Sequence, residues 1–96
     1  MHILVTYDVS TESPEGKRRL RNVAQACKDF GQRVQKSVFE CDLDEGQLEL
    51  LRHRLLEIIK LDEDSLRFYK LRGKREEVVE THGLDGYVDY DEPLLF

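Results

Sequence analysis

The sequence contains no apolar run long enough to cross a membrane. A helical span needs about 20 consecutive apolar residues, whereas the apolar stretches here are only a few residues long. A secretion signal is equally unsupported, because the acidic Asp8 lies where its apolar segment would have to be. These two absences predict a cytoplasmic chain that does not bind membranes.

Cysteine is scarce, and its spacing does not match the usual cysteine-based sites. Cys27 and Cys41 lie fourteen residues apart, with no CxxC pair and no nearby histidine to complete a zinc site. We therefore expect two buried thiols. The motifs of P-loop enzymes, α/β-hydrolases, zinc proteases and dinucleotide-binding proteins are also missing, so these enzyme classes lose their usual sequence support.

The chain is too short for two ordinary domains. It has 96 residues, of which 40% are apolar and 36% are charged, a balance typical of a soluble globular protein. We expect a single domain over residues 1–96 with one hydrophobic core.

Although the net charge is −5, the charges are segregated along the chain. Residues 17–36 carry seven basic side chains and one acidic side chain, whereas residues 76–96 carry seven acidic side chains and no lysine or arginine. The overall negative charge argues against nucleic acid as a partner. The basic segment is nevertheless compatible with a local surface that binds anions.

The first part of the chain has the pattern of a strand followed by a helix. Apolar side chains at alternate positions predict a strand that ends near Val9. Ser13 followed by Pro14 is typical of a helix start. Apolar side chains then recur at helical spacing as far as Phe30, and Gly31 is placed to end the helix.

The next segment, residues 32–43, is rich in strand-forming residues, but its apolar alternation changes phase near Lys36 and Ser37. A bulge, a bend or a very tight hairpin at this point would explain the change. Two short strands in place of one are therefore compatible with the pattern.

A second helix and a further strand follow. Asp44 and Gln47 form a pair typical of a capping box, and apolar residues at helical spacing predict a helix that ends near Lys60. Residues 64–72 alternate as a strand does, and Gly73 would end it.

The C-terminal residues are acidic but end on apolar side chains. Residues 87–90 (YVDY) resemble a short strand, and Pro93 precedes the apolar residues 94–96. An apolar terminus of this kind needs cover. We expect residues from about 80 to 96 to pack on the chain's own sheet or to add to the sheet of a partner subunit.

The order strand, helix, strand pair, helix, strand predicts an α+β protein with the ferredoxin-like (split βαβ) plan. In that plan an antiparallel sheet carries both helices on one face, here with an extra C-terminal strand. The opposite face of the sheet is left uncovered, and a two-fold symmetric homodimer is the simplest way to cover it.

Asp8 is the acidic residue best placed for chemistry, because it lies at the end of the first strand. One interpretation is a turn-capping aspartate that binds the following backbone. The other is a ligand for Mg²⁺, which prefers carboxylate oxygens. Each chain offers one such acid, so a two-fold axis close to the strand end would bring two Asp8 side chains into one site.

Basic residues crowd the start of the first helix, namely Lys17, Arg18, Arg19 and Arg21. They are either a solvated helix face or a clamp for phosphates. Positive side chains near a helix N-terminus oppose the helix dipole at a cost of about 0.3–1 kcal/mol each. A bound phosphate would reverse that cost, which favours a nucleic-acid-binding role for these residues and for Arg33.

Two segments together resemble the CRISPR-associated protein 2 family, the small nucleases of CRISPR adaptation. The first is LVTYDVS, which holds Tyr7, Asp8 and Ser10, and the second is RVQKSVFE, which begins at Arg33 and includes Phe39. The resemblance covers nearly the whole chain. It implies a ferredoxin-like homodimer whose C-terminal strand adds to the partner's sheet, and which bridges two dimers of CRISPR-associated protein 1 during capture and integration of spacer DNA.

The resemblance also implies a metal-dependent nuclease that acts on RNA or double-stranded DNA. Asp8 matches the family's metal-binding aspartate, while Arg33 and Phe39 match the arginine and the aromatic residue of its RxQxSVF motif. The match of the family's first-helix arginines to this sequence is ambiguous.

Three functional hypotheses follow. In the first, two Asp8 carboxylates hold Mg²⁺, or Mn²⁺ as an alternative, while basic residues of the first helix position the nucleic-acid backbone. In the second, the dimer is a non-catalytic adaptor that binds duplex DNA and docks integrase subunits. The third is a small ligand-sensing domain on the same fold, which the charge segregation disfavours.

Overall fold

The computed structural model of the protein describes residues 1–89. Its elements, in chain order, are β1 (His2–Asp8), α1 (Pro14–Phe30), β2 (Gln32–Gln35), β3 (Val38–Asp42), α2 (Glu45–Ile58), β4 (Ser65–Leu71) and α3 (Arg75–Val78). No helix within the described residues is long and apolar enough to span a membrane.

The four strands form one antiparallel sheet in the order β2-β3-β1-β4. Alternate side chains of β1, including Ile3, Val5 and Tyr7, are buried in one core with the apolar stripes of α1 and α2. Both long helices therefore cover the same face of the sheet. This is the ferredoxin-like arrangement that the element order predicts.

Local sequence signals set the helix starts. The Ser13 hydroxyl accepts a hydrogen bond of 3.0 Å from the Gly16 amide at the start of α1. Asp44 and Gln47 form a reciprocal capping box, with bonds of 2.8 and 2.9 Å between each side chain and the other residue's amide. Both predicted helix starts are confirmed, although α2 ends at Ile58, slightly before the predicted end.

The phase change in residues 32–43 is a tight hairpin together with an irregular ladder. Gln35 pairs with Val38 across a turn made by Lys36 and Ser37. The register shifts between Arg33 and Gln35, as it does at a β-bulge. Of the predicted alternatives, the tight hairpin at Lys36 and Ser37 is confirmed, and the register shift lies just before it.

The core contains both cysteines as free, fully buried thiols. Burial raises the pKa of Cys27 and of Cys41 to about 12, so both stay protonated and unreactive at neutral pH. The prediction of two buried thiols is confirmed.

The chain after β4 differs from the sequence prediction. Residues 75–78 form the short helix α3, although the pattern predicted only a loop there. Residues 87–89 of the predicted YVDY strand are not in a strand; the Gln32 side-chain amide instead binds the Val88 carbonyl and amide groups at 2.7 and 2.9 Å. Residues 90–96, which include Tyr90 and the apolar terminus, lie outside the described residues.

Candidate nucleic-acid interface

Asp8 is the last residue of β1, and its side chain is exposed. It lies on the face of β1 opposite the core, because side chains alternate along a strand. Its register partner in β4 is Ser65. No hydrogen bond or ion pair joins its carboxylate to any other residue within the described range, so the side chain is available to a ligand.

A cleft of about 680 Å³ opens beside this strand end. Four basic side chains line it together with Asp8, namely Arg21, Lys28, Arg33 and Lys36. Asp8 is the only acidic residue among its described lining residues. We refer to this cleft as the basic groove.

Each cation of the basic groove is supplied by a different part of the fold. Arg21 and Lys28 are seven residues apart on α1, which is two helical turns, so they lie on the same face. Arg33 comes from β2 and Lys36 from the hairpin turn. The hairpin of β2 and β3 therefore contributes two of the groove's cations, and α1 contributes the other two.

Arg33 is held by an aromatic ring. Its guanidinium lies 5.1 Å from the centroid of the Phe39 ring, which is fully buried. The Phe39 ring is in turn stacked on the Tyr7 ring, with the two ring centroids 6.2 Å apart. A cation above an aromatic face is held by the ring's quadrupole, so Phe39 restrains Arg33 at the wall of the groove.

The structure brings only part of the predicted basic set into the groove. Arg21 and Arg33 line it, whereas Lys17 and Arg18 are exposed on the preceding turn of α1 and are not among its lining residues. Ser10 also lies outside the groove lining, and its amide is bound by Asp64 at 3.0 Å.

Arg19 has a structural role in this molecule. Its Nε donates to Asp64 Oδ2 at 2.9 Å and its Nη2 donates to Glu63 at 3.2 Å, while its side chain is only 13% exposed. Burial alone would raise the pKa of Asp64, but hydrogen bonds from Arg19 and from two backbone amides outweigh it and lower that pKa. Arg19 is therefore engaged within the fold and is not among the residues that line the groove.

Sequence reasoning counted Lys28 and Lys36 in the basic segment but did not place them at the site. The spacing of Arg21 and Lys28 by two helical turns is the signal that could have identified Lys28. The predicted turn at Lys36 could likewise have placed that side chain at an exposed tip.

Within residues 1–89 there is no cluster of three or more His, Cys, Asp or Glu side chains that could hold a metal ion. One chain thus offers a single carboxylate at the groove. An exposed, unpaired carboxylate suits Mg²⁺, which keeps several waters and is often bound by only one or two carboxylates.

The sequence model of the family described as CRISPR associated protein Cas2 matches residues 1–78. The chain belongs to the Cas2 family. The resemblance seen in the LVTYDVS and RVQKSVFE segments is thereby confirmed, and the match includes every residue of the basic groove.

Relatives within the Cas2 family are similar over their full length. The chain is 57% identical over 95 residues, 99% of both chains, to "CRISPR-associated endoribonuclease Cas2 1" of Moorella thermoacetica. It is 47% identical over 96 residues, all of both chains, to "CRISPR-associated endonuclease Cas2" of Halalkalibacterium halodurans.

Solved structures show the same fold. Streptococcus pyogenes Cas2 superposes with a TM-score of 0.77 at 52% identity, over 86% of this chain and 100% of that one. A hypothetical protein from Thermus thermophilus superposes with a TM-score of 0.74 at 37% identity, over 90% and 94% of the two chains.

Proposed function

We propose that this chain is a metal-dependent endonuclease of CRISPR adaptation that cleaves the phosphodiester backbone of RNA or double-stranded DNA. The observation that carries the proposal is a single exposed carboxylate in a groove whose other charged lining residues are four cations. Cations attract the phosphate backbone without regard to base sequence. The relatives' names, an endoribonuclease and an endonuclease, support nuclease activity and leave both nucleic acids as substrates.

The proposed active form is a homodimer. One chain supplies one Asp8, so a second carboxylate has to come from a second copy. The sheet face that carries Asp8 also carries Leu4 and Thr6, which pair in register with Tyr69 and Val38. These side chains are only partly buried or exposed, and packing two such faces around a two-fold axis would bring the Asp8 residues together.

In this proposal the two Asp8 carboxylates hold Mg²⁺, or Mn²⁺ as an alternative. A bound divalent ion activates a water molecule and stabilises charge on the scissile phosphate. Arg21 and Lys28 bind the flanking phosphates, and Arg33 orients the backbone from the opposite wall. No histidine lines the groove within the described residues, so the chain's own contribution is binding and orientation.

The second candidate function is a non-catalytic adaptor that binds duplex DNA and bridges dimers of CRISPR-associated protein 1. The observation that favours it is the lack of a complete metal cluster among the described residues of one chain. In this function the basic groove binds the DNA backbone, and Asp8 does not take part in chemistry.

Cleavage assays separate the two functions. Labelled single-stranded RNA and duplex DNA are incubated with Mg²⁺, Mn²⁺ or a chelator, using wild type, Asp8→Asn and the matched control Asp62→Asn. Asp62 is exposed and outside the groove. Metal-dependent cleavage that persists in D62N but is lost in D8N supports the nuclease. Tight binding without cleavage in all three proteins supports the adaptor, and equal cleavage by wild type and D8N contradicts the role of Asp8.

A further inference from the structure

The buried Asp64 carboxylate accepts four hydrogen bonds from three parts of the chain. Its Oδ1 accepts from the Ser10 amide at 3.0 Å and from Arg19 Nη2 at 3.3 Å. Its Oδ2 accepts from Arg19 Nε and from the Lys60 amide, both at 2.9 Å. The side chain of Asp64 is fully buried, so bulk water does not compete directly for its carboxylate oxygens.

These bonds surround the end of the strand that carries Asp8. Asp64 immediately precedes Ser65, which is the register partner of Asp8 in β4. Ser10 follows Asp8 by two residues, so Asp64 holds the chain where it leaves β1. The first turn of α1 packs closely against Ser10, because a Cβ at Gly16 would overlap the Ser10 carbonyl oxygen.

The ion pair between Arg19 and Asp64 also restrains α1, the helix that carries two of the groove cations. Arg19 precedes Arg21 by two residues on α1, and Arg21 lines the basic groove with Asp8. A bidentate guanidinium–carboxylate contact constrains both distance and orientation. The contact between Arg19 and Asp64 therefore restrains α1 relative to the end of β1.

We propose that Arg19 and Asp64 are a positioning pair that sets the Asp8 carboxylate relative to the cations of α1. This inference rests on the proposed function of Asp8 as a metal ligand. Groups that orient a metal ligand without touching the metal typically change metal affinity by about 10- to 100-fold when removed. Arg19 acts here through Asp64 and Ser10, and not through contact with phosphate.

The test compares Arg19→Met with Arg18→Met. Both variants remove one positive charge from the same turn of α1, but Arg18 is exposed and has no ion pair among the described residues. Arg19→Lys keeps the charge and is the partial rescue. The measurements are Mn²⁺ affinity by electron paramagnetic resonance and amide hydrogen exchange at Val9 and Ser10, with the Val5 amide reporting global unfolding.

We expect R19M to weaken Mn²⁺ binding about tenfold and to speed exchange at Val9 and Ser10 more than at Val5. R19K should fall between R19M and wild type, and R18M should match wild type. Equal Mn²⁺ affinity in R19M and R18M overturns the proposal, as does exchange that rises equally at Ser10 and Val5.

Failure of the proposed function gives a different result. If wild type and D8N bind Mn²⁺ equally, Asp8 is not a metal ligand, and exchange alone then decides on the positioning pair. Faster exchange confined to Val9 and Ser10 in R19M supports it, and unchanged exchange overturns it.

Discussion

At the scale of single residues, Arg33 depends on the ring beneath it as well as on its charge. Its guanidinium lies over Phe39 at 5.1 Å, and a lysine at this position would keep the charge but replace the weakly hydrated guanidinium with a more strongly hydrated ammonium. A cation–π contact at an exposed site contributes about 0.5–1 kcal/mol. We expect Arg33→Lys to weaken duplex DNA binding by a few fold and to lower the free energy of unfolding by no more than about 1 kcal/mol.

Fluorescence anisotropy at fixed salt and chemical denaturation measure the two effects. Arg72→Lys is the matched control, because Arg72 is exposed and outside the groove. Equal affinity of R33K and wild type would show that Phe39 does not contribute to the groove through Arg33.

Residue-level roles were the hardest part to predict from sequence. The five-residue KRRLR segment shows where positive charge is concentrated, but it does not show which side chain is buried. Arg19 differs from Arg18 because a carboxylate 45 residues later in the chain meets it in the fold. The local pattern placed Asp8 at the end of a strand and Arg33 near the next strand, but the direction of the Arg33 side chain could not be read from it.

At the scale of elements, α1 presents one face to the groove. Arg21 and Lys28 share this face, and each phosphate contact contributes about −0.9 to the slope of log affinity against log salt. We expect Arg21→Gln combined with Lys28→Gln to make the slope for duplex DNA shallower by about 1.8, through two lost contacts.

The control for this prediction is Arg72→Gln combined with Lys74→Gln. This pair removes the same residue types at exposed positions outside the groove. Binding measured from low to moderate salt gives the slopes. A slope in the α1 double variant equal to that of the control would mean that this face of α1 does not bind the backbone.

Element prediction succeeded where the signals were local and failed where they were not. The caps of α1 and α2 involve residues three positions apart, so the sequence alone identified them. The contact of Gln32 with Val88 joins residues 56 positions apart. A pattern of alternating residues such as YVDY shows strand propensity but not whether a neighbouring strand is available.

At the scale of the whole molecule, the sheet is covered unequally on the face opposite α1 and α2. Arg75 binds Glu40 at 2.6 Å, and Tyr87 lies against Arg75 and His2, so residues after β4 cover the His2 end of that face. The Asp8 end has no such cover among the described residues. The order of elements predicted an uncovered face, but not that only one end of it stays open.

We expect the open end of this face to be the homodimer contact. Tyr69 is 41% exposed near the middle of this face, where it pairs with Leu4, so Tyr69→Glu should place repelling charges across the two-fold axis and dissociate the dimer. Leu50→Glu, on the exposed side of α2, is the control, because Leu50 is 65% exposed. Light scattering after size exclusion measures both; a dimer that survives Y69E would place the contact elsewhere.

Two buried carboxylates should control stability at acid pH. Burial alone would raise the pKa of Glu40, but hydrogen bonds from Arg75 and His2 outweigh it and lower that pKa, as the bonds to Asp64 lower its pKa. A lowered folded-state pKa stabilises the fold above the ordinary values of 4.5 and 3.8. As the pH falls, the two carboxylates are protonated in the unfolded chain before they are protonated in the folded chain. The stabilisation is therefore lost as the pH falls through their lower folded-state pKa values.

Urea denaturation at intervals from pH 7 to pH 3 tests this effect. Wild type should lose unfolding free energy steeply below about pH 5, whereas Glu40→Gln should be less stable at pH 7 and lose less on acidification. Glu12→Gln, which removes an exposed acid with no hydrogen bond or ion pair among the described residues, is the control. If the unfolding free energy of E40Q falls with pH as steeply as that of wild type, the acid sensitivity comes from other carboxylates. The contact between Glu40 and Arg75 would then not link the segment after β4 to the stability of the sheet.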